Sequence, residues 1–487
     1  MKRVFFSKII TLNLIQSLVL TLFLTGNTYA AFDSGSTGAD GAFNPTAHTE
    51  VTLPADGKLN YTSVNIPTGV TVTFKRNSTN TPVYVLATGD VTIAGTINLN
   101  GTNANGRFHG KGGPGGFDGG FGGTPVDGGI PASPGGKGLG TGGGNPGSSA
   151  STNPVQYGVG GGGGGGGFAS NGSDGAGNST YAPGGSGGGS YGNINILPMI
   201  GGAGGGGGAG SAAENLKNSG GAGGGGGGAI LIASSSVITV SGSITANGGK
   251  GGDGTPAIVY AGGGGGGSGG AVKLMADTIT GDGIISAIAG TGGNGYSVGG
   301  AGGSGRIRLE ATNPVTGTIS TSTTPLFSYG YPGTVFVTNI PTLSITRIGG
   351  IDVPANPTGS YAQPDITLPG TTQNPVTVNI SATNIRTGTT VTVTSIPEYG
   401  NSTNAAGALS GTDASSTASV SITLSTSYQS ILTATATFTI QTAMYWDGEK
   451  IEKVRVAATA GKGSEAFYIT ESGKEIKAGE LMAKLMK

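Results

Sequence analysis

Residues 229–233, AILIA, form a short apolar run, residues 237–246, VITVSGSITA, alternate apolar and polar positions as strands do, and six glycines, 223–228, run straight into them. The same plan recurs three more times. VYVLATGDVTIAGTINLNG (83–101), AVKLMADTITGDGIISAIAGTGG (271–293) and RIRLEATNPVTGTIS (306–320) each open with a short strand and turn a polar corner. Most then run a second strand of the form V/I-x-I/V-x-G-x-I. A unit of about 20 residues is too short to bury its own apolar face, whereas units stacked in parallel bury a continuous one. The pattern predicts an all-β chain built on a parallel β-helix, or solenoid. In it Ile230 and Ile232 share a core with Val272 and Leu274, and Leu231 points the other way. The interval between units varies, which places the extra residues in loops on one side.

The hydropathy pattern divides the rest of the chain. Residues 31–100 read as further strands, among them LNYTSVNI, VTVTFKR and DVTIAGTINLN. The solenoid then spans 31–333, with glycine-rich insertions over about 101–305. From 334 to 442 short Thr/Ser/Val strands such as PVTVNISATNI and ILTATATFTI follow at the spacing of an Ig-like β-sandwich. From 443 to 487 charge rises sharply, which suggests a small C-terminal module of two or three strands and a short helix.

Composition sharpens this map at the glycines. Of 104 glycines, 80 lie between Gly101 and Gly305. Runs such as 161–167 have no side chains to bury, so two readings stand. One is a flexible insert. The other is a set of extended polyproline-II-type strands packed side by side, whose backbones approach closely because no Cβ intervenes. Apolar islands such as Ile194–Ile200 and recurring aromatics favour the second, and the absence of a Gly-X-Y register excludes collagen.

The first 30 residues begin with Lys2, Arg3 and Lys8, continue through LIQSLVLTLFL, and end in Thr28-Tyr29-Ala30. That is the layout of a secretory signal peptide, and its apolar run is too short and too broken for a membrane anchor. No later segment has the length of a transmembrane span. The chain is expected to be exported to the cell surface or extracellular space, with the periplasm as the alternative compartment. Without the leader, 21 basic and 24 acidic residues remain, a balance that does not attract nucleic acid. With no cysteine, disulfides, thiolate nucleophiles and zinc–thiolate sites are excluded.

FDSGSTGADGAFNPT (32–46), TVTFKRNSTNTPVYVLATGDVTIAGTINLNG (71–101), GGGGGGAILIA, GGSGGAVKL and GGAGGSGRIRLEA together resemble a family of exported, glycine-rich bacterial proteins of unassigned function. The strand segments are also similar to the right-handed β-helix of filamentous haemagglutinin-type adhesins. The resemblance covers roughly residues 31–320 and implies a right-handed solenoid with a cell-surface or extracellular-matrix role. It supplies no catalytic residues.

Sites of chemistry are sparse. GIPASPGGKGL (129–139) approaches a phosphate-binding loop, but Gly138 follows Lys137 where Ser or Thr would take magnesium. GGKGGD (248–253) matches six positions of a calcium-binding nonapeptide, with Thr255 where a large apolar residue belongs, and in a single copy. Asp253, Asp277 and Asp282 lie near the coils, yet no Asp-Asp or Asn-x-Asp pair suits a β-helix polysaccharide lyase or hydrolase. His48 and His109 are the only histidines. Arg306 and Arg308 alternate with Ile307 and Leu309 and read as the solvent face of a strand. No catalytic residue, metal site or cofactor is assigned.

The remaining candidates are aromatic. Phe108, Phe117, Phe121, Tyr157, Phe168, Tyr181, Tyr191, Tyr260 and Tyr296 sit in or beside the glycine-rich inserts. They either pin glycine strands together or form platforms on which sugar rings or another cell's surface would stack. The expected function is non-enzymatic: a structural or adhesive exported protein, with polysaccharide binding as the alternative and a β-helix lyase or hydrolase as a more distant one.

Overall fold

The computed structural model describes residues 31–487 apart from 150–157, 179, 213–216, 256–259, 322–325, 337–340, 355–358, 360, 362–363, 400–401, 447–448, 460–461 and 478–487. The expected signal peptide and the expected terminal helix fall outside the described residues. Within them every regular element is a strand.

All four repeated segments enter one parallel sheet. Ala229–Val240 lies between Val83–Ala87 and Ala271–Thr280, and Arg306–Ala311 follows, with Ala229, Ala271 and Arg306 in register. The second strand expected in the units is split: Val91–Ile93 and the end of Ala229–Val240 stay in the first sheet, and the part after the glycine turns into a second, six-stranded parallel sheet. There Thr71–Lys75, Thr96–Asn98, Ser243–Thr245 and Ile284–Ser286 are neighbours. Ile230, Ile232, Val272 and Leu274 on the first sheet meet Val72, Ile97, Ile244 and Ile285 on the second in one apolar core. Each such fully buried side chain contributes roughly 1.5–3 kcal/mol. Leu231 points to the other face and joins a separate cluster, as the alternation requires. The insertions appear as unequal offsets between neighbouring rungs: Asn100 and Asn247 are 147 residues apart and hydrogen-bonded, Asn247 and Ile288 only 41.

The inserted residues form a packed lobe, so of the two readings of the glycine runs the flexible one fails. Along 162–167 the amides address three neighbours in rotation. Gly162 and Gly165 donate to Ala176 and Ser173, Gly163 and Gly166 to Gly263 and Gly266, and Gly164 and Gly167 to Asn145 and Gly142. The carbonyls do the same with three other segments, accepting from Gly185 and Gly188, from Gly300 and Gly303, and from Gly206. Every third residue thus faces the same neighbour, and one strand is ringed by six. A Cβ on Gly165 would lie 1.9 Å from the carbonyl oxygen of Ala301, which is why the lobe is written in glycine.

The outer face of the first sheet is also covered, contrary to the reading of Arg306 and Arg308 as solvent-facing. The segment 191–200 lies across it. Arg306 is buried, donating to the Tyr191 carbonyl at 3.0 Å with its guanidinium over the Phe168 ring. Lys273, 1% exposed, pairs with Glu310 at 2.9 Å and donates to the Asn195 carbonyl. Arg308 reaches the same Glu310 oxygen.

From Thr342–Ile348 onward the strands pair antiparallel and build a five-stranded and a six-stranded sheet around a second core that includes Val378, Val391 and Val420. The change of composition after 442 does not end this unit. The strand Ser430–Trp446 runs through that position, and Glu449–Thr459, Lys462–Thr470 and Glu475–Lys477 extend its sheet. Ile451, Val454 and Ile476 enter the same core as Val391. The charged tail therefore shares a core with the strands before it.

Candidate binding surface

The glycine strands run outward from the two parallel sheets and back, so their turns collect at two ends. Near the sheets lie the turns carrying Phe117, Leu139, Phe168 and Tyr191. At the far end lie the turns around 105–108, 127–130, 178–182, 260 and 296. The far turns are joined to one another. Gly160 donates to the Tyr260 carbonyl, Tyr296 to Ala261, Ala176 to the Val298 carbonyl, and Ser219 to Thr255. Lys217 pairs with Asp127 at 2.6 Å. These contacts make one continuous distal rim.

The expected aromatic candidates sort by this position. Phe117, Phe168 and Tyr191 are buried in the layer between the lobe and the first sheet. Phe168, 1% exposed, packs against Tyr191 with ring centroids 4.8 Å apart and planes tilted by 48°, and the Tyr191 hydroxyl donates to the Gly201 carbonyl at 2.6 Å. A Cβ on Gly140 would strike the Phe117 ring at 2.7 Å, so this aromatic seats against bare backbone. These three pin the lobe to the sheet. Phe108, Tyr181, Tyr260 and Tyr296 instead stand on the rim, Phe108 66% and Tyr296 63% exposed. Tyr157 lies outside the described residues. Ile130 and Val298, which no pattern in the sequence singles out, are exposed on the same rim. The signal that marks them is a turn dipeptide beside a lone apolar residue, legible only once the turns are known to share an end.

Within the rim the Tyr260 and Tyr296 rings are nearly parallel, 7° apart in plane with centroids 6.1 Å apart. Tyr260 holds a left-handed backbone conformation (φ 63°), which costs a bulky residue energy and which the neighbouring hydrogen bonds enforce. The rim's charges are compensated locally: Asp127 by Lys217, and Asp253 by Lys250 at 3.1 Å. Burial alone would raise the Asp253 carboxyl, but the Asn294 amide and the Lys250 ammonium outweigh it and hold the group below the usual carboxylate range.

Phe121 belongs to neither end. It lies midway along the lobe, where the antiparallel unit docks, with His109 edge-on at 4.5 Å and Tyr361 and Tyr399 both at 5.9 Å. Arg107 donates to the Tyr399 hydroxyl at 3.2 Å. Burial raises the Tyr361 phenol far above its ordinary range, with Glu398 adding to the effect, and the hydroxyl donates to the Ile396 carbonyl. Burial also raises the Glu398 carboxyl, a rise only partly offset by Tyr399, His109 and Arg107.

Of the acidic residues near the coils, Asp277 and Asp253 are engaged in structural ties, and Asp282 is exposed. One Asp277 oxygen accepts from the Phe32 amide and the Thr312 hydroxyl, and Asp253 accepts from the Asn294 amide. Comparison with known proteins gives no match to any family model, to any curated protein or to any solved structure.

Proposed function

We propose that this chain is a non-enzymatic, exported surface protein whose glycine lobe presents an adhesive rim. In this reading the stacked parallel sheets form a right-handed β-helix, and the lobe is a bundle of polyproline-II-type glycine strands, for which the three-residue rotation of neighbours is the support. The antiparallel unit is an Ig-like sandwich docked on the side of the lobe. The composition of residues 1–30 supports export, and the similarity of the strand segments to adhesin β-helices supports a surface role.

One observation carries the functional part: the lobe's aromatics are buried at the sheet end and exposed at the far end. Four exposed rings on a backbone that cannot repack form a contact surface rather than a core. A second reading, polysaccharide binding, rests on the parallel Tyr260 and Tyr296 rings, since flat rings suit the apolar faces of sugars. The lyase reading is disfavoured by the structural ties that occupy Asp253 and Asp277.

Incubating the mature protein with whole cells and a panel of polysaccharides separates these readings. Retention on cells that is lost in Tyr260→Ala/Tyr296→Ala supports the adhesive rim. Retention on one soluble polysaccharide supports the glycan reading, and bond cleavage would overturn both.

A further inference from the structure

The first parallel sheet ends in the strand Leu326–Gly330, which pairs with Arg306–Ala311 on one side. Among the described residues no strand lies on its other side. Leu326 donates its amide to the Gly305 carbonyl, toward the paired neighbour. Backbone groups alternate between the two sides of a strand, so the amides and carbonyls of Phe327 and Tyr329 point to the open side. The Tyr329 carbonyl accepts from the Arg308 side chain at 3.3 Å, and a carbonyl has room for a second donor.

The side chains at this edge are apolar and partly in water. Phe327 and Tyr329 lie level with Ile307 and Leu309 and so face the core side of the sheet. The second sheet ends here in only two residues, Ser320–Thr321, which leaves the core open. Tyr329 is 61% and Leu326 44% exposed, and the Phe327 and Tyr329 rings meet edge-on with centroids 4.6 Å apart. Val315 and Ile319 complete the patch, and residues 311–315 and 329–331 enclose a groove of about 380 Å³ beside it. Solenoid ends are ordinarily closed by a polar cap, and sheet edges are guarded by charge or proline. No charged residue occurs between Ala311 and Phe336. The opposite end is guarded: Thr49–Thr52 presents Glu50 to solvent, and the Asp40 carboxylate accepts from the Asn60 amide at 2.6 Å.

The unguarded edge is complementary to itself. Two copies of Leu326–Gly330, antiparallel about a two-fold axis at Ser328, bring Phe327 opposite the second copy's Tyr329 on each side of the axis. Both residues direct their backbone groups outward, so each such pair exchanges two amide–carbonyl bonds. Their rings gather over the open core ends as cross-strand aromatic pairs, with no like charges opposed. The orientation also keeps the lobes apart. Ala229, Ala271 and Arg306 each follow a glycine-rich stretch, so the lobe meets this sheet at the N-terminal ends of its strands. An antiparallel copy carries its lobe on the opposite side. We infer that the chain forms a two-fold dimer through Leu326–Gly330, in which the first sheets of two copies become one. This interface is separate from the aromatic rim.

The test is sedimentation of the full exported chain over a range of concentrations. A reversible equilibrium between one chain and two is expected, and amide exchange at Phe327 and Tyr329 should slow as the dimer forms. Tyr329→Lys puts a charge at a position that is mostly in water in the single chain, and should weaken the dimer about tenfold or more without loss of the fold. Tyr329→Pro removes an amide that points to the open side, a change an edge strand accepts, and should do the same. Tyr296→Lys, on the rim, should leave the dimer intact. A single-chain mass at every concentration overturns the inference, as does a dimer that both folded Tyr329 variants retain or that Tyr296→Lys abolishes. An open-ended ladder of masses would overturn the two-fold and assign the edge to head-to-tail addition.

Discussion

The amide of Gly206 donates to the carbonyl of Gly164 at 2.8 Å, and a Cβ on Gly206 would lie 2.2 Å from the carbonyl oxygen of Asn145. The glycine is thus both a hydrogen-bonding partner and a spacer of zero width. Gly206→Val must push two backbones apart, and the cost should reach about 3 kcal/mol or more, at or above the upper end of overpacking a core. Gly189, with nothing within 4 Å of its added Cβ, serves as the control, and Gly189→Ala should be close to neutral. Melting temperatures of the two variants check the contrast. Amide exchange checks it independently: protection at Gly206 and Gly164 is expected, and random-coil exchange there would return the lobe to a spacer.

A second outcome concerns the charges under the 191–200 segment. Glu310 accepts from both Lys273 and Arg308, and the lysine and the acid are almost wholly buried. Removing the single anion leaves two cations facing each other out of water, so Glu310→Gln should destabilise by about 3–5 kcal/mol. Lys273→Met leaves the Arg308–Glu310 pair intact and puts an apolar chain beside Met275 and Leu231, so its cost should be clearly smaller. Equal losses in the two variants, read by denaturant unfolding, would contradict this account of the cluster.

These charges also mark where the sequence stopped being legible. Alternation in AILIA and AVKLM was enough to place Ile230 and Val272 on one face in parallel register, because a strand's period is fixed by its backbone. The same alternation made Arg306 and Arg308 look solvent-exposed, since nothing in a strand records what another segment lays over it. The boundary read after 442 was crossed for a related reason. Composition reports which side chains meet water, whereas Ser430–Trp446 keeps its strand because its backbone pairs with Glu449–Thr459 before and after that position. Neighbours within the glycine lobe left no trace in sequence, because backbone hydrogen bonds are the same for every glycine. The aromatic candidates were found as a set, but their division into pins and rim required knowing which turn lies at which end.

The docking of the antiparallel unit should respond to pH through Glu398. Burial raises this carboxyl above its unfolded value of about 4.3, so the folded state holds the proton more tightly. Its contribution is complete below that unfolded value and is lost as pH rises through the raised folded value. Acidification from neutrality should therefore favour the contact of Tyr361 and Tyr399 with Phe121. Glu398→Gln fixes the neutral form, so it should flatten this part of the pH dependence and raise the melting temperature at pH 8. A variant whose melting profile against pH superimposes on the parent's would show that Glu398 does not couple the units.

The division of the aromatics leads to the last outcome, in which stability and binding part company. Phe168 is enclosed by Tyr191, Arg306 and the Gly192 backbone, and truncating it opens a cavity that glycine cannot refill. Phe168→Ala should cost about 3–5 kcal/mol and lower retention on a target surface only through unfolding. Tyr296 has most of its ring in water and, among the described residues, a single aromatic neighbour, Tyr260, so Tyr296→Ala should change stability by about 0.5 kcal/mol or less. Its effect should fall on retention instead, strengthened when Tyr260 is truncated as well. Melting curves and surface retention measured on both variants give the comparison. A Tyr296 variant that binds as well as the parent would reduce the rim to decoration, while one that melts as early as the Phe168 variant would show that the far turns carry core contacts after all.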